Sequence, residues 1–514
     1  MRRKEMMQRT WCTLALLAIS LLAATAQQTT REQAIRRAAE FMGSSVTKEK
    51  LVKVQLTNEV AKGPGGTEET IQAFNVKGGG FVIVAGNAGG AQTVIGYSDS
   101  GTLDADHMPV AMKGIIDRFR QHMVRYGQRI SPSRDGRPYK NYRCNIKPLI
   151  QTQWGQGTPY NDLCPTLNGE RCITGCVATA AAQLMYYFKW PLTESEVIPA
   201  YVTRDNQLSI GDLPPRRFDW NKMLTKYQNA TPEQNRAIAE LMQYCGSSVN
   251  MNYGINGSSA SMSNIEPALN RFFHYTSKAH TEYRSSYSND DWEDLIYNEL
   301  AEGRPVIYSG TKDDGGGHCF LVDGYDKRGL FHFNWGWGGL DDGWFRLTLD
   351  DTNDNDISYS DFHYAVLGVQ RPMRMWRQTI TAEQNISVLG LGVPHSTVKP
   401  LPGKKVFAPI QVTCQLQNTE VPDCVADIAL GLYQGDKLLD VFPVNAQKIR
   451  KGTKFKRQIV VNRIYTDLPA GNYILRVVCK ETKRYRWFPV HDANAHAYSL
   501  QLSSQELKIR KYTP

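Results

Sequence analysis

The spacing of hydrophobic positions separates a mixed first part of the chain from an all-β last part. Near the amino end, a charged stretch with a helical period at residues 31–41 is followed by strand-like apolar runs at 80–85 and 93–97. Beyond Thr379, the pattern predicts short alternating strands separated by Pro, Gly and Asp turns, at residues 407–416, 426–433, 458–464 and 473–478. Because few helical periods occur there, we expect a β-sandwich of about 130 residues.

The first 26 residues have the pattern of a secretory signal peptide. Four basic side chains occur within the first ten positions, an apolar run covers residues 11–24, and Ala24-Thr25-Ala26 is a small-residue cleavage pattern. The apolar run, of about 14 residues, is shorter than the roughly 20 that a membrane-spanning helix needs. We therefore predict export, no membrane span, and a secreted or cell-surface protein; the sequence leaves periplasmic and extracellular destinations open.

A basic segment separates the first part from the middle of the chain. The segment from residue 113 to residue 147 contains ten basic residues and only two acidic ones, and residues 131–142 are rich in Pro, Gly, Ser and Arg. This composition is typical of an exposed, cleavable linker, and equally of a permanent solvated connection between domains.

Composition limits the class of protein. The chain has 514 residues, which at roughly 100 to 200 residues per domain corresponds to about three domains. The difference between 60 Lys plus Arg and 50 Asp plus Glu gives a net charge of +10, and this mixed basic surface is accompanied by no nucleic-acid recognition motif. Ten cysteines are too few for a disulfide scaffold, so each must be judged by its surroundings.

Cys176 stands at the predicted start of a helix. The segment from Thr174 to Phe188 begins with Gly175 and continues through strong helix formers toward Pro191, which cannot continue a helix. Unpaired amides and the macrodipole at a helix start favour an anion, so this thiol should ionise below its free pKa of about 8.5. The thiolate is the form that attacks carbonyl carbon. On this segment alone, a small buried structural cysteine is the competing interpretation.

A histidine and an amide could complete a catalytic site. His318 follows three glycines and enters an alternating strand, and an imidazole is the usual base for a thiol. The later stretch Phe331 to Gly339 contains Asn334, an amide that suits the orientation of an imidazole, and indoles that suit the exclusion of water. His332 is a rival base, although it shares one strand face with Asn334 and could be a packed neighbour. Upstream, Gln156 lies among glycine turns and suits an oxyanion donor beside the Cys176 amide.

Together these segments resemble the papain-like cysteine peptidases, and more closely streptopain and its relatives, including interpain and periodontain. The resemblance covers residues from about 147 to 372 and rests on the segments Trp154-Gly155-Gln156-Gly157-Thr158-Pro159-Tyr160-Asn161, Thr174-Gly175-Cys176-Val177-Ala178-Thr179, Met251-Asn252-Tyr253-Gly254, Gly316-Gly317-His318 and Asn334-Trp335-Gly336-Trp337-Gly338-Gly339. The upstream segments at 79–86 and 95–101 resemble the streptopain propeptide. This resemblance favours the cleavable interpretation of the linker.

The resemblance implies roles for individual residues. It implies that Cys176 is the nucleophile, His318 the proton acceptor and donor, and Gln156 the oxyanion donor. It leaves two supports for the imidazole, Asn334 and the indole of Trp335. For the substrate, Ser258 matches a backbone-binding serine after a one-residue gap, Gly317 matches a similar backbone contact, and Trp337 is a further expected contact.

The expected architecture has four parts. It is an α+β papain-like cysteine peptidase domain at 147–372, preceded by a signal peptide at 1–26 and an α+β inhibitory propeptide at 27–146, and followed by an Ig-like, all-β sandwich at 373–514. The expected partners are protein or peptide substrates and the chain's own propeptide, and no cofactor is expected. The carboxy-terminal domain has no counterpart in streptopain itself.

The remaining cysteines and acidic residues leave alternatives open. Cys164 and Cys172 could form a bridge, and a disulfide or oxidation at Cys319 could gate activity because it adjoins the expected base. No cluster of Cys and His has metal-binding spacing, so we expect no metal site. The acidic run at 350–356 lacks the glycine and closing Glu of a calcium loop and is better interpreted as a solvated turn.

The sequence therefore predicts an exported cysteine endopeptidase that is made as a zymogen and acts through an acyl-enzyme. Cell-wall amidases and transglutaminase-like acyl transferases use the same Cys and His pair, so they are the competing enzyme classes. An adhesin with a degenerate peptidase domain is disfavoured because every expected catalytic position is filled.

Overall fold

A computed structural model describes residues 31–56, 71–86, 92–109, 112–117, 119–120, 143–311, 317–348, 363–372, 386–418, 424–449, 454–466, 468–481, 487–490 and 493–513. The predicted signal peptide at 1–26, the linker at 131–142 and the acidic run at 350–356 lie outside the described residues. None of the helices within these ranges is long and apolar enough to cross a membrane.

The chain divides into two compact units. The first comprises residues 1–137, 147–300 and 304–372, and the second comprises 138–146, 301–303 and 373–514. The helices of the first unit are α1 at 31–42, α2 at Cys176–Phe188, α3 at Pro232–Ser248, α4 at Ile265–Phe273 and α5 at Asn289–Ala301; residues 112–117 are also helical. Its strands are β1 Leu51–Val54, β2 Ile71–Val76, β3 Phe81–Ala85, β4 Thr93–Ser98, β5 Thr166–Leu167, β6 Glu170–Arg171, β7 Tyr201–Val202, β8 Ser209–Ile210, β9 His280–Tyr283, β10 Val306–Thr311, β11 Gly317–Tyr325, β12 Phe331–Asn334, β13 Gly343–Phe345 and β14 His363–Leu367.

One ten-stranded sheet runs through the first unit. Its strand order is β1-β2-β3-β4-β13-β12-β11-β10-β14-β9, and each neighbouring pair is antiparallel. Strands β1 to β4 come from the first part of the chain, and β4 joins the later strands by pairing Tyr97 with Trp344 and Gly96 with Phe345. Gly96 is required there, because a Cβ at this position would lie 2.5 Å from the Phe345 ring.

Apolar cores among the described residues pack against this sheet, and two of them contain side chains of helices α1 to α4. The larger one combines apolar residues of α2, α3 and α4 with sheet residues such as Ile307, Leu321 and Val366. A smaller core lies between α1 and strands β2 to β4, and its members include Ala34, Ala38, Phe74, Val82 and Val94.

The helices of the larger core begin and end where the sequence contains the corresponding signals. Helix α2 begins after Gly175 and ends with Lys189 in the left-handed conformation, so the prediction of a helix from Cys176 to Phe188 is confirmed. Helix α3 begins with a capping box, in which the Thr231 hydroxyl accepts from the Gln234 amide and Pro232 occupies the first turn.

The second unit is built from strands. They are β15 Ile386–Gly392, β16 Thr397–Val398, β17 Ile410–Asn418, β18 Cys424–Gln434, β19 Lys437–Ile449, β20 Lys454–Val461, β21 Gly471–Glu481, β22 Phe488–Pro489, β23 Tyr498–Leu502 and β24 Leu507–Lys511. One sheet has the order β15-β17-β20, and the other has β16-β24-β23-β21-β18-β19 with β22 beside β21. Both contribute to one core, for example through Val412 and Leu416 from the first and Leu430 and Leu475 from the second.

The predicted strands of this unit all occur, with shifted ends. Strand β17 begins at Ile410 rather than at residue 407, because Pro409 has no N–H to donate to a sheet. Strand β20 already begins at Lys454, where exposed and half-buried residues alternate. It is the last strand of its sheet, and its charged residues are typical of a protected edge.

Candidate active site

Gly175 sets the direction in which the chain enters α2. Its φ is +85°, which favours glycine, and a Cβ at this position would lie 2.7 Å from Met251 Sδ and 3.1 Å from Ser258 Cβ. Cys176 is therefore the first residue of the helix, with its half-buried thiol beside the unpaired amides of the first turn.

Cys176 and His318 form a charge-stabilised pair. Burial alone would raise the pKa of Cys176, but the charge of His318, a hydrogen bond with His318 and the main-chain N–H groups of Cys319 and Val177 lower it below its ordinary value. Burial alone would lower the pKa of His318, but the charge and hydrogen bond of Cys176 and the carbonyl of Trp335 raise it. The arrangement therefore favours a thiolate beside an imidazolium.

The His318 ring is held by a main-chain group and by aromatic rings. Its Nε2 lies 2.8 Å from the carbonyl oxygen of Trp335, which leaves Nδ1 for Cys176. Phe320 lies nearly parallel to the imidazole at 6.4 Å between centroids, and Trp337 meets it edge-on at 6.0 Å. The imidazole is buried, with 5% of its residue surface exposed.

The two expected supports of the imidazole differ in how they act. Trp335 contacts His318 through its carbonyl, whereas its indole donates to the carbonyl of Asp341 at 2.9 Å. In this structure, the group of Trp335 that hydrogen-bonds the imidazole is therefore its carbonyl. Asn334 makes no hydrogen bond to the imidazole, because its amide oxygen accepts from the N–H of Gly336 at 3.1 Å.

Gln156 lies in a loop that is fixed from two sides. Its carbonyl accepts from the N–H of Thr174 at 3.1 Å, two residues before Cys176, and the carbonyl of Trp154 accepts from the N–H of Gly338 at 3.0 Å. The indole of Trp154 is fully buried and donates to the carbonyl of Leu224. The half-buried Gln156 carboxamide has no hydrogen-bond partner among the described residues.

The expected substrate contacts surround the pair in different ways. The Ser258 hydroxyl donates to the carbonyl of Ile173 at 2.7 Å and accepts from the N–H of Gly254 at 3.0 Å, so its proton is used within the chain. Gly317 is exposed at the start of β11. Trp337 is half-buried, and its indole N–H has no partner within the described part of the chain. Gly315 and Gly316 lie outside the described residues.

His332 belongs to a separate ion pair. Its Nδ1 lies 2.6 Å from Oδ1 of the fully buried Asp323, whose Oδ2 accepts from the N–H of Ile150. Burial opposes its protonation, but the charge of Asp323 and the hydrogen bond with it raise the pKa of His332. The histidine whose charge acts on Cys176 is His318, so His332 has the position of a structural residue.

The first part of the chain contacts the later part next to this ion pair. We call this contact the seam and define it by the pairing of β4 with β13 and by three hydrogen bonds across it. The Tyr97 hydroxyl donates to Asp326, the Ser98 hydroxyl donates to the carbonyl of Asp342, and Arg346 Nε donates to the carbonyl of Val94, each at 2.9 Å.

Six of the described cysteines are free thiols, namely Cys164, Cys172, Cys176, Cys245, Cys319 and Cys414. Cys164 and Cys172 are buried and are not bridged to each other, so the suggested bridge is absent from this structure. Cys319 is buried, and burial followed by the charge of Cys176 raises its pKa well above the ordinary value. Within the described ranges, no three His, Cys, Asp or Glu side chains form a group that could hold a metal ion.

Sequence reasoning missed a buried network of uncharged groups behind Asn334. Gln183 and Thr152 are both buried, and both hydrogen-bond to Asn334. The available signal was a polar residue in an apolar helix, because Gln183 stands seven positions after Cys176 and hence on the same side of α2.

Comparison with known proteins gives matches over most of the first unit. Residues 154–345 match the family described as the peptidase C10 family, and residues 26–123 match the Spi protease inhibitor. Streptopain of Streptococcus pyogenes is 33% identical over 323 residues, which are 58% of this chain and 77% of streptopain. The thiol protease/hemagglutinin PrtT of Porphyromonas gingivalis is 32% identical over 408 residues, which are 75% of this chain but 46% of that protein.

A solved structure supports the same relationship. A fragment of prointerpain A from Prevotella intermedia has a TM-score of 0.51 and 30% sequence identity with this chain. The match covers 62% of this chain and 98% of the fragment.

Proposed function

The chain belongs to the peptidase C10 family and is a cysteine-type peptidase, and we propose that it is an exported endopeptidase, made as a zymogen, that hydrolyses peptide bonds through an acyl-enzyme on Cys176. The observation that carries the mechanism is the Cys176 and His318 pair, in which the pKa of the thiol is lowered and that of the imidazole is raised. Export rests on the signal-peptide pattern of residues 1–26.

The proposed reaction has two halves. The Cys176 thiolate attacks the scissile carbonyl carbon, and the tetrahedral intermediate collapses to a thioester as His318 gives its proton to the leaving amine. Neutral His318 then takes a proton from water, and the resulting hydroxide attacks the thioester. The carboxylic acid product leaves, and the Cys176 thiolate is restored beside the His318 imidazolium. The enzyme thus returns to its starting state with one peptide bond hydrolysed by one water.

The oxyanion needs two donors. We assign them to the N–H of Cys176, which is an unpaired amide at the start of α2, and to the carboxamide of Gln156. The support for Gln156 is that its main chain is bound to Thr174 and its side chain has no other partner among the described residues.

His318 is oriented by the carbonyl of Trp335, and we assign to this carbonyl the role that a side-chain amide has in papain-like enzymes. By accepting a hydrogen bond from His318 Nε2, the carbonyl stabilises the tautomer and the imidazolium that the reaction needs. We further propose that Trp337 and the main-chain groups of Ser258 and Gly317 bind the substrate backbone near the thiol.

The chain carries an inhibitor-like propeptide domain, and we propose that residues 27–146 keep the peptidase inactive until cleavage within the linker. The support is that β1 to β4 are part of the same sheet as the peptidase strands. For residues 373–514 we propose an Ig-like β-sandwich, supported by the common core of the two sheets. The peptidase domain at 147–372 is proposed to be papain-like, with the nucleophile on a helix and the base on the sheet.

The test is intact-mass analysis of the secreted wild type and of Cys176→Ala under reducing conditions, with casein hydrolysis and labelling by a thiol-reactive epoxide inhibitor. We expect the wild type to lose the segment before about Lys147 and to gain one inhibitor on Cys176. The variant should remain long, unlabelled and inactive. A fully active Cys176→Ala protein would contradict the mechanism, and a full-length, unlabelled wild type would direct the search to cell-wall substrates or to binding.

A further inference from the structure

A continuous network of hydrogen bonds links the nucleophile helix to the carbonyl that holds His318. Gln183 Nε2 donates to Asn334 Oδ1 at 2.9 Å, and Asn334 Oδ1 also accepts from the N–H of Gly336 at 3.1 Å. That N–H belongs to the same peptide group as the carbonyl of Trp335, which accepts from His318 Nε2 at 2.8 Å. One amide oxygen therefore binds one end of the peptide group whose other end binds the imidazole.

Main-chain groups fix the polarity of the network. The Gly336 N–H can only donate and the Thr152 carbonyl can only accept, so Asn334 must direct Oδ1 to the first and Nδ2 to the second, at 2.9 Å. Gln183 must then offer its N–H to Asn334 Oδ1. Its remaining oxygen accepts from the Thr152 hydroxyl at 2.7 Å. Each of these three side chains is buried, so a lost partner leaves a buried polar group unsatisfied.

We propose that Gln183 is a positioning residue for His318, acting through Asn334 and the peptide group between Trp335 and Gly336. Hydrogen bonding at the N–H of a peptide group strengthens its carbonyl as an acceptor. The network therefore both strengthens the hydrogen bond from His318 Nε2 to the Trp335 carbonyl and fixes the orientation of the imidazole. Because Gln183 lies on α2, the helix that begins with Cys176 also holds the acceptor of the base. The proposal rests on the proposed function, since it takes His318 as the base.

Helix α2 gives this link its stiffness. The helix is buried from Val177 to Met185, and Gly336 lies against it: a Cβ at Gly336 would be 3.2 Å from the Thr179 methyl group and 3.8 Å from Gln183 Nε2. The Trp335–Gly336 peptide group therefore has little room to rotate away from the helix. A second restraint comes from Asp342, which accepts from the N–H of Trp335 at 2.8 Å.

The test compares Gln183→Leu and Gln183→Glu with the control Leu184→Val. Leu184 is fully buried, neighbours Gln183 on α2 and has no role in the network, so its truncation reports a packing effect alone. Full-length variants are matured in trans by a trace of tagged wild type, which is then removed. Kinetics on a peptide substrate are combined with the pH profile of Cys176 alkylation by iodoacetamide, which needs no bound substrate.

Gln183→Leu should lower kcat by about tenfold to a hundredfold with little change in KM, because a displaced imidazole affects the chemical step. The acid limb of its alkylation profile should move to higher pH, because a less firmly held imidazolium stabilises the thiolate less. The control should change neither quantity. Unchanged kcat and an unchanged alkylation profile in folded Gln183→Leu would overturn the proposal.

Gln183→Glu keeps the proposal testable if Gln183→Leu does not fold. A protonated Glu at this buried position can still donate to Asn334 Oδ1, whereas an ionised one cannot. Its kcat should therefore fall as pH rises through the raised pKa that a buried carboxyl group has, and recover on acidification. A Gln183→Glu profile parallel to the wild type at all pH values would contradict the proposal. If Cys176 itself did not react with iodoacetamide in the wild type, the proposed function would fail instead.

Discussion

At the residue scale, the site depends on a glycine as much as on the reactive groups. Gly175 combines a positive φ with close contacts to Met251 and Ser258, so it determines where the first turn of α2 begins. The chemistry of Cys176 follows from that position, because the Val177 N–H of the first turn donates to its sulfur.

Gly175→Ala should therefore destabilise the protein by about 1–3 kcal/mol and lower kcat, because the new methyl group requires a strained backbone or a displaced Met251. Urea denaturation of the Cys176→Ala background and peptide hydrolysis in the wild-type background measure the two effects. Gly211→Ala is the matched control, because a Cβ there meets nothing within 4 Å. Equal effects of both substitutions would contradict the assigned role of Gly175.

The sequence predicted the contact between Cys176 and His318 but not how the imidazole is held. Side-chain chemistry indicates which residues can react, and Cys176 and His318, which the motifs singled out, are hydrogen-bonded to each other in the structure. The acceptor of His318 is a main-chain carbonyl, however, and a carbonyl has no signature in residue type. For the same reason Asn334 drew attention as a direct support, although it acts on the N–H of Gly336.

At the element scale, half-buried acidic groups lie beside the seam between β4 and β13. Burial raises the pKa of Asp342 to about 7, partly offset by the charge of His332 and the N–H of Trp335. Burial, followed by the charge of Asp104 from the first part of the chain, raises the pKa of Asp341 to about 7. The pKa of His332 is also raised, by Asp323 against burial.

The full-length protein should therefore lose stability as pH rises through about 7. A raised carboxyl pKa means that the folded state binds the proton more tightly than the unfolded state, so this stabilisation is lost on deprotonation. The raised pKa of His332 has the same sign, because its stabilisation is also lost as pH rises through the folded pKa. The urea midpoint of full-length Cys176→Ala should be lower at about pH 8 than at about pH 6.

Asp342→Asn should reduce this pH dependence, because the amide retains the oxygen that accepts from Trp335 and has no proton to lose. The exposed Asp212→Asn serves as the control. If the urea midpoint of Asp342→Asn changed with pH as much as that of the control, the dependence would have another origin.

At the scale of the whole molecule, sequence patterns predicted elements better than their assembly. Alternation found four strands of the second unit, which correspond to β17, β18, β20 and β21, and helix signals found α2. Neither of these local patterns shows which distant residues contact each other. Ser98 and Asp342, for example, are hydrogen-bonded although they lie 244 positions apart in the chain. The ten-stranded sheet was therefore not predictable from local pattern, whereas the family resemblance indicated which segments belong to one enzyme.

The division into two units predicts that the peptidase functions without the second one. The described strands of the ten-stranded sheet end at Leu367, and the core of residues 386–509 is separate from the one around α2. A chain that ends at Pro372 should mature and hydrolyse casein at a rate within about threefold of the full-length protein, since each unit has its own core. Loss of folding in this truncated chain, measured by thermal denaturation, would mean that the second unit is needed for stability.

The continuous sheet also changes how activation should depend on concentration. Cleavage of the linker breaks one covalent bond, but the hydrogen bonds and side-chain contacts between β4 and β13 remain. Before cleavage, the propeptide is present at a high effective concentration that dilution does not alter; afterwards, it rebinds in a second-order process. Freshly cleaved enzyme should thus stay largely inhibited where it is concentrated and gain activity as it diffuses away from its source.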